Sequence, residues 1–393
     1  MNILDYHVNQ MNHVDFLCAC GKHHSMQRIA HIAVEPGAIN RLPEILAPFQ
    51  EKTVFLFGDQ NTKRAAGERV ETLLVDAGFR VKSLFLTSGA DILIPDEGVL
   101  GQLFLELDES IGALVGVGAG SLNDLGDFIS ARTGLPFCIV CTAPSMDGYA
   151  SDTAALMSLG FKRSYPATLP YAIVGDIDIL KNAPARMIQA GIGDVLGKVT
   201  ALLDWRLSAQ MTGEYYCETT ALLVEQAVKR VIAHIDHFQR RDEEAVSCLM
   251  DALIRTGVAM ALVGNSRPAS GAEHQMSHYL EMDFIARGLH PDLHGIKVGA
   301  STPIVAELFE MLKDDLPASL QESIPRREEM EALLQAAGAP VSFPSLHVER
   351  ELFHNCLLHS YRTRTRYSIF SLAIEKGKLE TCAEAITARV YGT

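Results

Sequence analysis

The sequence predicts two domains: an N-terminal α/β domain with a mostly parallel sheet, and an all-α C-terminal domain. Apolar segments of five to seven residues alternate with helical segments in the first half of the chain, which is typical of βαβ units. After Pro184 the apolar residues recur at helical spacing, with no convincing strands between them. We place the boundary near residues 181–184, so the expected domains are 1–182 and 183–393.

The expected elements of the N-terminal domain follow one another closely. Each predicted strand is a short apolar or alternating run, and each predicted helix carries apolar residues on one face. The strands are predicted at 29–34, 53–57, 80–87, 113–117 and 137–142, and the helices at 37–48, 61–78, 96–110 and from the turn at Gly116 to Thr133.

The C-terminal domain is expected to consist of long helices. The longest apolar patterns with a helical period lie at 185–211, 217–238, 243–264, 294–312, 328–337 and, interrupted near Gly377, 347–391.

Composition and charge exclude several classes of protein. An apolar content of 48% with 21% charged residues is ordinary for a globular domain. The formal charge of -14, from 34 basic and 48 acidic residues, argues against a nucleic-acid or anionic-membrane surface, but it permits an anionic small substrate in a local basic pocket. We find neither a signal-peptide pattern nor an apolar run of about 18 residues, so we expect a cytoplasmic protein without a membrane span. The eight scattered cysteines should then be reduced.

A Gly-rich turn follows the strand at 113–117. The segment Gly116-Val-Gly-Ala-Gly-Ser-Leu-Asn-Asp124 leads from a strand into a helix, and the free N–H groups and the dipole of a helix N-terminus favour a phosphate. Ser121 stands where the third Gly of GxGxxG would be, so a simple tight turn is the alternative. Asp59 ends an earlier strand and could accept hydrogen bonds from a ribose diol, as in Rossmann-like domains, or could simply cap a helix.

One carboxylate and three histidines in the C-terminal half suggest a metal. Asp194 lies in an apolar helical setting, where an unpaired charge is costly. His274 and His278 stand at i and i+4 on one helix face, and His294 begins another helix. A carboxylate and two imidazoles from three helices suit a divalent ion with an open position, although each histidine alone could be an ordinary hydrogen-bonded residue.

Four other residues have both a functional and a structural interpretation. Cys18 and Cys20 with the following histidines look like half of a metal site, but no partner CxxC or CxxH follows, which favours a structural or incidental role. Lys198 and Arg267 could bind an anionic substrate group, or could be solvated helix charges.

These motifs together resemble a known family. Thr142-Ala-Pro-Ser-Met-Asp-Gly-Tyr-Ala-Ser151, with GAGSLND before it and GD, EHxxxH and HG after it, looks like the glycerol-1-phosphate dehydrogenases of bacteria and archaea. That family belongs with the iron-containing alcohol dehydrogenases, glycerol dehydrogenase and 3-dehydroquinate synthase. The similarity runs from about Cys18 to about Gly377 and includes CxCGxxH and Arg364-Thr-Arg-Tyr-Ser. It implies a dehydroquinate synthase-like fold.

The resemblance also implies roles for the residues singled out above. The divalent metal (Zn, Ni or Fe) would be held by Asp194, His274 and His294. His290 competes with His294 on spacing, but the His-Gly pair at a helix start matches the family. The nicotinamide cofactor would be held by Asp59, Gly118, Gly120, Ser121, Asp124, Thr142, Ser145 and Ser151. The substrate would contact Asp147, Asp194 and His278, with Asp147 and His278 as catalytic residues and Lys198 and Arg267 as candidates for its phosphate.

The expected reaction is the reversible reduction of dihydroxyacetone phosphate to sn-glycerol 1-phosphate by hydride transfer. NAD is the expected cofactor because Asp59 would repel a 2′-phosphate, with NADP as an alternative. The partners are therefore small phosphorylated trioses or glycerol, and we expect a homo-oligomer, a dimer or larger. Glycerol dehydrogenase and a 3-dehydroquinate synthase-like lyase are the rival functions, and a regulatory protein that has lost turnover is a third.

Overall fold

A computed structural model describes residues 3–87 and 93–392 and confirms the predicted fold class. A parallel sheet with flanking helices forms the first part of the chain, and the part after the last sheet strand is helical.

The central sheet has six strands in the order β3-β10-β7-β6-β4-β5, all parallel. Two-stranded antiparallel hairpins are formed by β1 with β2 and by β8 with β9. The strands are β1 Asp15–Leu17, β2 His23–Ser25, β3 His31–Glu35, β4 Thr53–Asp59, β5 Arg80–Leu86, β6 Ile111–Gly118, β7 Phe137–Cys141, β8 Thr153–Ser158, β9 Phe161–Pro166 and β10 Ala172–Asp176.

The α-helices form two groups: short to medium helices that alternate with the strands of the sheet, and mostly longer helices that follow the last strand. Those associated with the sheet are α1 Leu42–Leu46, α2 Gln60–Thr62, α3 Glu68–Asp76, α4 Glu97–Leu105, α5 Gly120–Thr133 and α6 Ile177–Leu180. The later ones are α7 Ala185–Thr212, α8 Glu218–Ala233, α9 Glu243–Val263, α10 Ala272–Ala286, α11 His294–Met311, α12 Ala318–Gln321, α13 Arg327–Ala336, α14 Arg350–His359, α15 Ile369–Glu375 and α16 Leu379–Tyr391.

The central strands are buried on both faces, which explains their unbroken apolar sequences. Every residue of β6 and β7 is buried, as expected where helices cover both sides of a parallel sheet. Phe57 and Phe137 stack with ring centroids 6.0 Å apart on one face. The chain leaves β4 towards β5 on one side, whereas β6 and β7 lie on the other. This reversal creates a crevice at the carboxyl ends of β4 and β6.

Five strands are absent from the sequence-based prediction: β1, β2, β8, β9 and β10. β10 lies between β3 and β7, and β8 and β9 form a hairpin with several exposed residues. The helix predicted at 37–48 is instead a series of short 3-10 and α-helical turns over residues 38–49. The position of β10 in the sheet depends on distant partner strands, which a local apolar pattern does not specify.

Helix α9 is the core helix of the C-terminal part. Among the described residues it alone is long and apolar enough to cross a bilayer, but 78% of its apolar window is buried by the rest of the chain. It packs against α7, α8 and the N-terminal residues of the chain.

Candidate active site

The structure brings together the three residues that the sequence predicts as metal ligands. Asp194 lies in α7, His274 in α10 and His294 at the start of α11, and their ligand atoms lie within 4.8 Å of one another. The Nε2 atom of His274 is 3.5 Å from Oδ1 of Asp194. The rings of His274 and His294 have centroids 5.1 Å apart. His290 is exposed and has no place in this cluster.

Glycines bring the helices of the site close together. A Cβ on Gly191 of α7 would lie 1.9 Å from the carbonyl oxygen of Pro144, and a Cβ on Gly295 of α11 would lie 1.9 Å from that of Ala190. Neither position has room for a side chain, since the obstacle in each case is backbone. The close approach places Asp194 beside the loop that carries Asp147 and beside the first turn of α11.

Asp194 is compensated by a lysine of its own helix. The Lys198 ammonium lies 2.5 Å from Oδ1 of Asp194 and 2.8 Å from Oδ2 of Asp147. The backbone N–H of Asp147 donates to Oδ2 of Asp194 at 3.0 Å. Burial would raise the pKa of Asp194, but Lys198 and the hydrogen bond from His274 hold that pKa well below its usual range. The charge that seemed unpaired in the sequence is therefore held ionised.

The residues of the cluster fit a divalent metal. The Nδ1 atom of His274 bonds Oε1 of Glu273 at 2.7 Å, which turns Nε2 towards Asp194. Glu273 is itself held by the hydroxyl of Thr200 and the N–H of Gly271. An imidazole oriented by a carboxylate in this way is typical of a metal ligand. Nδ1 of His294 is buried and has no hydrogen-bond partner among the described residues.

His278 stands next to the cluster but is held in a different manner. Nη2 of Arg364 lies 3.1 Å from Nε2 of His278, and because a guanidinium only donates, this nitrogen must accept. The proton of the neutral ring then sits on Nδ1, which lies 3.9 Å from Oε2 of Glu281. Burial and the nearby charge of Arg364 lower the pKa of His278 well below its usual value. His278, Glu281 and His294 also have ligand atoms within 4.8 Å of one another.

The predicted dinucleotide-binding residues lie at the crevice between β4 and β6. Ala119, before α5, provides no side-chain cap, so the N–H groups of the first turn of this helix are suited to an anion. The residues at this edge are Asp59, Gly118, Gly120, Ser121 and Asp124.

Two carboxylates at this edge have defined surroundings. Asp59 caps α2, because its Oδ1 accepts the backbone N–H groups of Asn61 and Thr62 at 2.9 and 2.8 Å. The capping alternative is thus realised, and the ribose contact stays a prediction. Burial raises the pKa of Asp124 to about 7, against the opposite effect of Lys162.

The loop 142–151 connects the crevice to the ligand cluster. The N–H of Thr142 donates to the carbonyl oxygen of Gly118 at 2.9 Å, which joins the ends of β7 and β6. Thr142 and Ser145 are buried. The hydroxyl of Ser151 accepts the N–H of Thr153 at 3.2 Å. Asp147 of the same loop reaches Lys198, so one loop carries residues predicted to contact both cofactor and substrate.

The two predicted phosphate ligands already have protein partners. Lys198 bridges two carboxylates, as described above. The buried Arg267 guanidinium pairs with Glu214 and donates to the hydroxyl of Ser208 at 3.1 Å and the carbonyl oxygen of Tyr367 at 3.0 Å. These contacts give both cations a structural role, and their contact with substrate stays a prediction.

Other cations, which sequence reasoning missed as site residues, surround His278. Lys162 of β9 lies 3.0 Å from Oε1 of Glu281, and Lys297 of α11 lies 3.7 Å from the same atom. Arg364 contacts His278 directly. The Arg364-Thr-Arg motif belongs to the family resemblance, which assigns it no role. No sequence pattern marks Lys162 as a site residue, because it lies on a hairpin that the sequence does not predict.

Comparisons with known proteins identify the family of the chain. Residues 33–184 match the iron-containing alcohol dehydrogenase family model. A glycerol-1-phosphate dehydrogenase [NAD(P)+] of Bacillus licheniformis is 32% identical over 372 residues, which cover 92% of this chain and 93% of that protein. A protein of the same name from Thermococcus kodakarensis is 36% identical over 319 residues, with coverages of 81% and 84%.

Solved structures share the fold. The crystal structure of glycerol dehydrogenase from Schizosaccharomyces pombe superposes with a TM-score of 0.66 at 16% identity, covering 92% of this chain and 91% of that one. With relatives above 30% identity over nearly their whole length, the chain belongs to the glycerol-1-phosphate dehydrogenase family, within the iron-containing alcohol dehydrogenases.

Proposed function

We propose that the protein is a dehydrogenase that interconverts dihydroxyacetone phosphate and sn-glycerol 1-phosphate with a nicotinamide cofactor. The observation that carries this proposal is the position of Lys162 and Arg364 around His278, directly beside the cluster of Asp194, His274 and His294. A phosphorylated ketone needs such a pair of sites, one for the carbonyl and one for the anionic end.

The reaction moves a hydride and a proton. In the reducing direction the hydride goes from the reduced nicotinamide to the keto carbon, and the keto oxygen takes a proton to become the secondary hydroxyl. A divalent ion held by Asp194, His274 and His294 would act as a Lewis acid towards the substrate oxygen when bound. Which ion this is (Zn, Ni or Fe) is not decided by one carboxylate and two imidazoles.

The residues around that cluster orient the substrate. We assign Asp147 to a substrate hydroxyl, because its carboxylate is fixed by Lys198 beside Asp194. His278 is the candidate proton relay, since its neutral ring holds a proton at Nδ1 and lies beside His294. Lys162 and Arg364 are the cations best placed to neutralise the phosphate.

The cofactor would lie across the crevice between β4 and β6. The pyrophosphate would meet the N-terminus of α5, with the nicotinamide towards the loop 142–151. Asp59 favours NAD, and the names of the relatives include both NAD and NADP. A cytoplasmic location and a homo-oligomeric state belong to the same proposal.

The test compares two substrates and measures the effect of a chelator on each. NADH oxidation is followed with dihydroxyacetone phosphate and, in parallel, with dihydroxyacetone, before and after treatment with a chelator. We expect oxidation that requires the phosphate and is lost on chelation, and a product that sn-glycerol-3-phosphate dehydrogenase does not oxidise. Activity on dihydroxyacetone alone would favour glycerol dehydrogenase. No oxidation by protein that binds NADH and metal would favour the lyase or an inactive protein.

A further inference from the structure

A second cluster of metal-binding side chains shares no residue with the cluster of Asp194, His274 and His294. Cys18 and Cys20 lie in the loop between β1 and β2, His24 lies on β2, and Cys217 immediately precedes α8. Their three sulfur atoms and one imidazole nitrogen all lie within 4.8 Å of one another. Cys18, His24 and Cys217 are buried, and Cys20 is partly exposed. None of the four belongs to the cluster of Asp194.

The imidazole of His24 is oriented as a ligand. Its Nδ1 lies 2.8 Å from the carbonyl oxygen of Leu262, at the end of α9. A carbonyl oxygen only accepts, so Nδ1 carries the proton and Nε2 has a free lone pair. That Nε2 points between Cys20 and Cys217, 3.4 Å from each sulfur. A backbone carbonyl behind a ligating imidazole is a common arrangement in metal sites.

Three of the six distances among the ligand atoms lie close to the edges of a tetrahedral zinc site, and all six are within 4.8 Å. Zinc bonds of about 2.3 Å to sulfur and about 2.0–2.1 Å to nitrogen imply tetrahedral edges of about 3.8 Å between sulfurs and about 3.6 Å between sulfur and nitrogen. The Cys18 and Cys217 sulfurs are 3.7 Å apart, and Nε2 of His24 lies 3.4 Å from the sulfurs of Cys20 and Cys217. A disulfide would need its sulfurs about 2.05 Å apart. The cysteines are free.

We propose that Cys18, Cys20, His24 and Cys217 bind a structural Zn²⁺ ion. Three thiolates and one imidazole complete a tetrahedral shell without an open position, which is typical of structural rather than catalytic zinc. The ion fastens the β1–β2 hairpin to the start of α8 and, through the Nδ1 of His24, to the end of α9. It thereby attaches the N-terminal residues, which precede the first sheet strand, to the helices of the C-terminal part.

The sequence pattern alone did not reveal this site. The fourth proposed ligand does not belong to a second CxxC or CxxH pair, because it is the single Cys217, 193 residues after His24. The competing account is a set of buried thiols that only hydrogen-bond, as Cys20 does with the hydroxyl of Tyr215 at 3.1 Å.

The experiment measures metal content and coordination of the full chain, purified without added metal or chelator. Zinc per chain is determined by plasma mass spectrometry for the wild type, Cys20→Ser, Cys248→Ser and Asp194→Asn, and zinc-edge X-ray absorption is recorded for Asp194→Asn. Cys20 is chosen because it is partly exposed, and Cys248, a partly exposed cysteine of α9, is the matched control.

We expect Cys20→Ser to lose one equivalent of zinc per chain relative to both the wild type and Cys248→Ser. The Asp194→Asn protein should retain one equivalent with a sulfur shell at about 2.3 Å. Zinc content unchanged by Cys20→Ser, a spectrum without sulfur ligands, or a disulfide in this cluster found by mass spectrometry would overturn the proposal. If Cys20→Ser does not fold, the spectrum of Asp194→Asn decides.

Discussion

The Lys198 ammonium neutralises the carboxylate of Asp194, which lies one helical turn earlier in the same helix. Both side chains are completely buried. The pair is not isolated, because the same ammonium also holds Asp147 from the loop 142–151. One lysine therefore determines the position of a predicted metal ligand and of a predicted substrate ligand. Removing it would leave two buried carboxylates side by side.

Lys198→Met should destabilise the metal-free protein by about 3–5 kcal/mol, because a buried charge is left without its partner. The measurement is urea unfolding in the presence of a chelator. Lys229→Met is the control, since Lys229 forms the same i,i+4 pair with Glu225 but is 69% exposed. That variant should cost less than about 1 kcal/mol. Similar losses for the two variants would contradict the assigned role of Lys198.

Asp194→Asn should reduce the rate of NADH oxidation by orders of magnitude while the protein remains folded, because the ligand charge is lost. Circular dichroism tests whether the variant is folded, and the NADH oxidation assay tests the loss of activity. Full activity in a folded, metal-replete variant would disprove the metal hypothesis.

His294→Ala and His290→Ala separate the two candidates for the third ligand. His294 lies within the ligand cluster, whereas His290 is exposed. We expect the first variant to lose the divalent ion that Asp194 also holds, measured by equilibrium dialysis, and the second to bind it like the wild type. The reverse result would assign the ligand to His290.

Gly191→Ala should impair folding or the site, because the new methyl group would meet the Pro144 carbonyl oxygen at 1.9 Å. Gly101→Ala is its control, since a Cβ at that helical position meets nothing within 4 Å. The control should be neutral or more stable by up to about 1 kcal/mol. Thermal unfolding of both variants gives the comparison, and an unchanged Gly191→Ala protein would show that the loop can move aside.

Arg364→Gln should raise the KM for dihydroxyacetone phosphate by about 10-fold or more, since a charge-assisted contact is worth about 1.5–3 kcal/mol. Arg362→Gln is the neighbouring control, whose guanidinium contacts the Tyr361 ring and hydroxyl. Steady-state kinetics at varied substrate concentration decide. An equal effect of the two variants would remove Arg364 from the phosphate site.

Asp204 should make stability depend on pH. Its two carboxylate oxygens accept the N–H groups of Ala272 and Ile369, yet burial and the charge of Glu273 raise its pKa to about 7. In the unfolded chain the pKa is about 3.9. Between these values the folded state holds the extra proton, so this contribution to stability is present below about pH 4 and is lost as the pH rises to about 7.

Asp204→Asn should remove that dependence. The variant is expected to lose more stability relative to the wild type at pH 5 than at pH 8, measured by urea unfolding of metal-free protein. A loss that is equal at both pH values, or greater at pH 8, would show that Asp204 is ionised in the folded protein.

The alternation of strands and helices, the Gly-rich turn and the metal-binding residue types could all be predicted from the sequence. These features are local: the period of an apolar segment follows from the geometry of its own backbone, and His274 and His278 share a helix face wherever that helix lies. Asp194 and Lys198 also share a helix face because of their i,i+4 spacing, although the sequence alone does not predict that they pair.

Only the tertiary structure decided which distant residues meet. It inserts β10 into the sheet, brings Lys162 and Arg364 to His278, and joins Cys217 to the N-terminal hairpin. Each of these contacts links segments far apart in the chain, and it depends on the packing of whole elements rather than on any local pattern. For that reason the residues that form the cluster of Asp194, His274 and His294 could be named from the sequence, whereas the cations around it and the cysteine cluster could not.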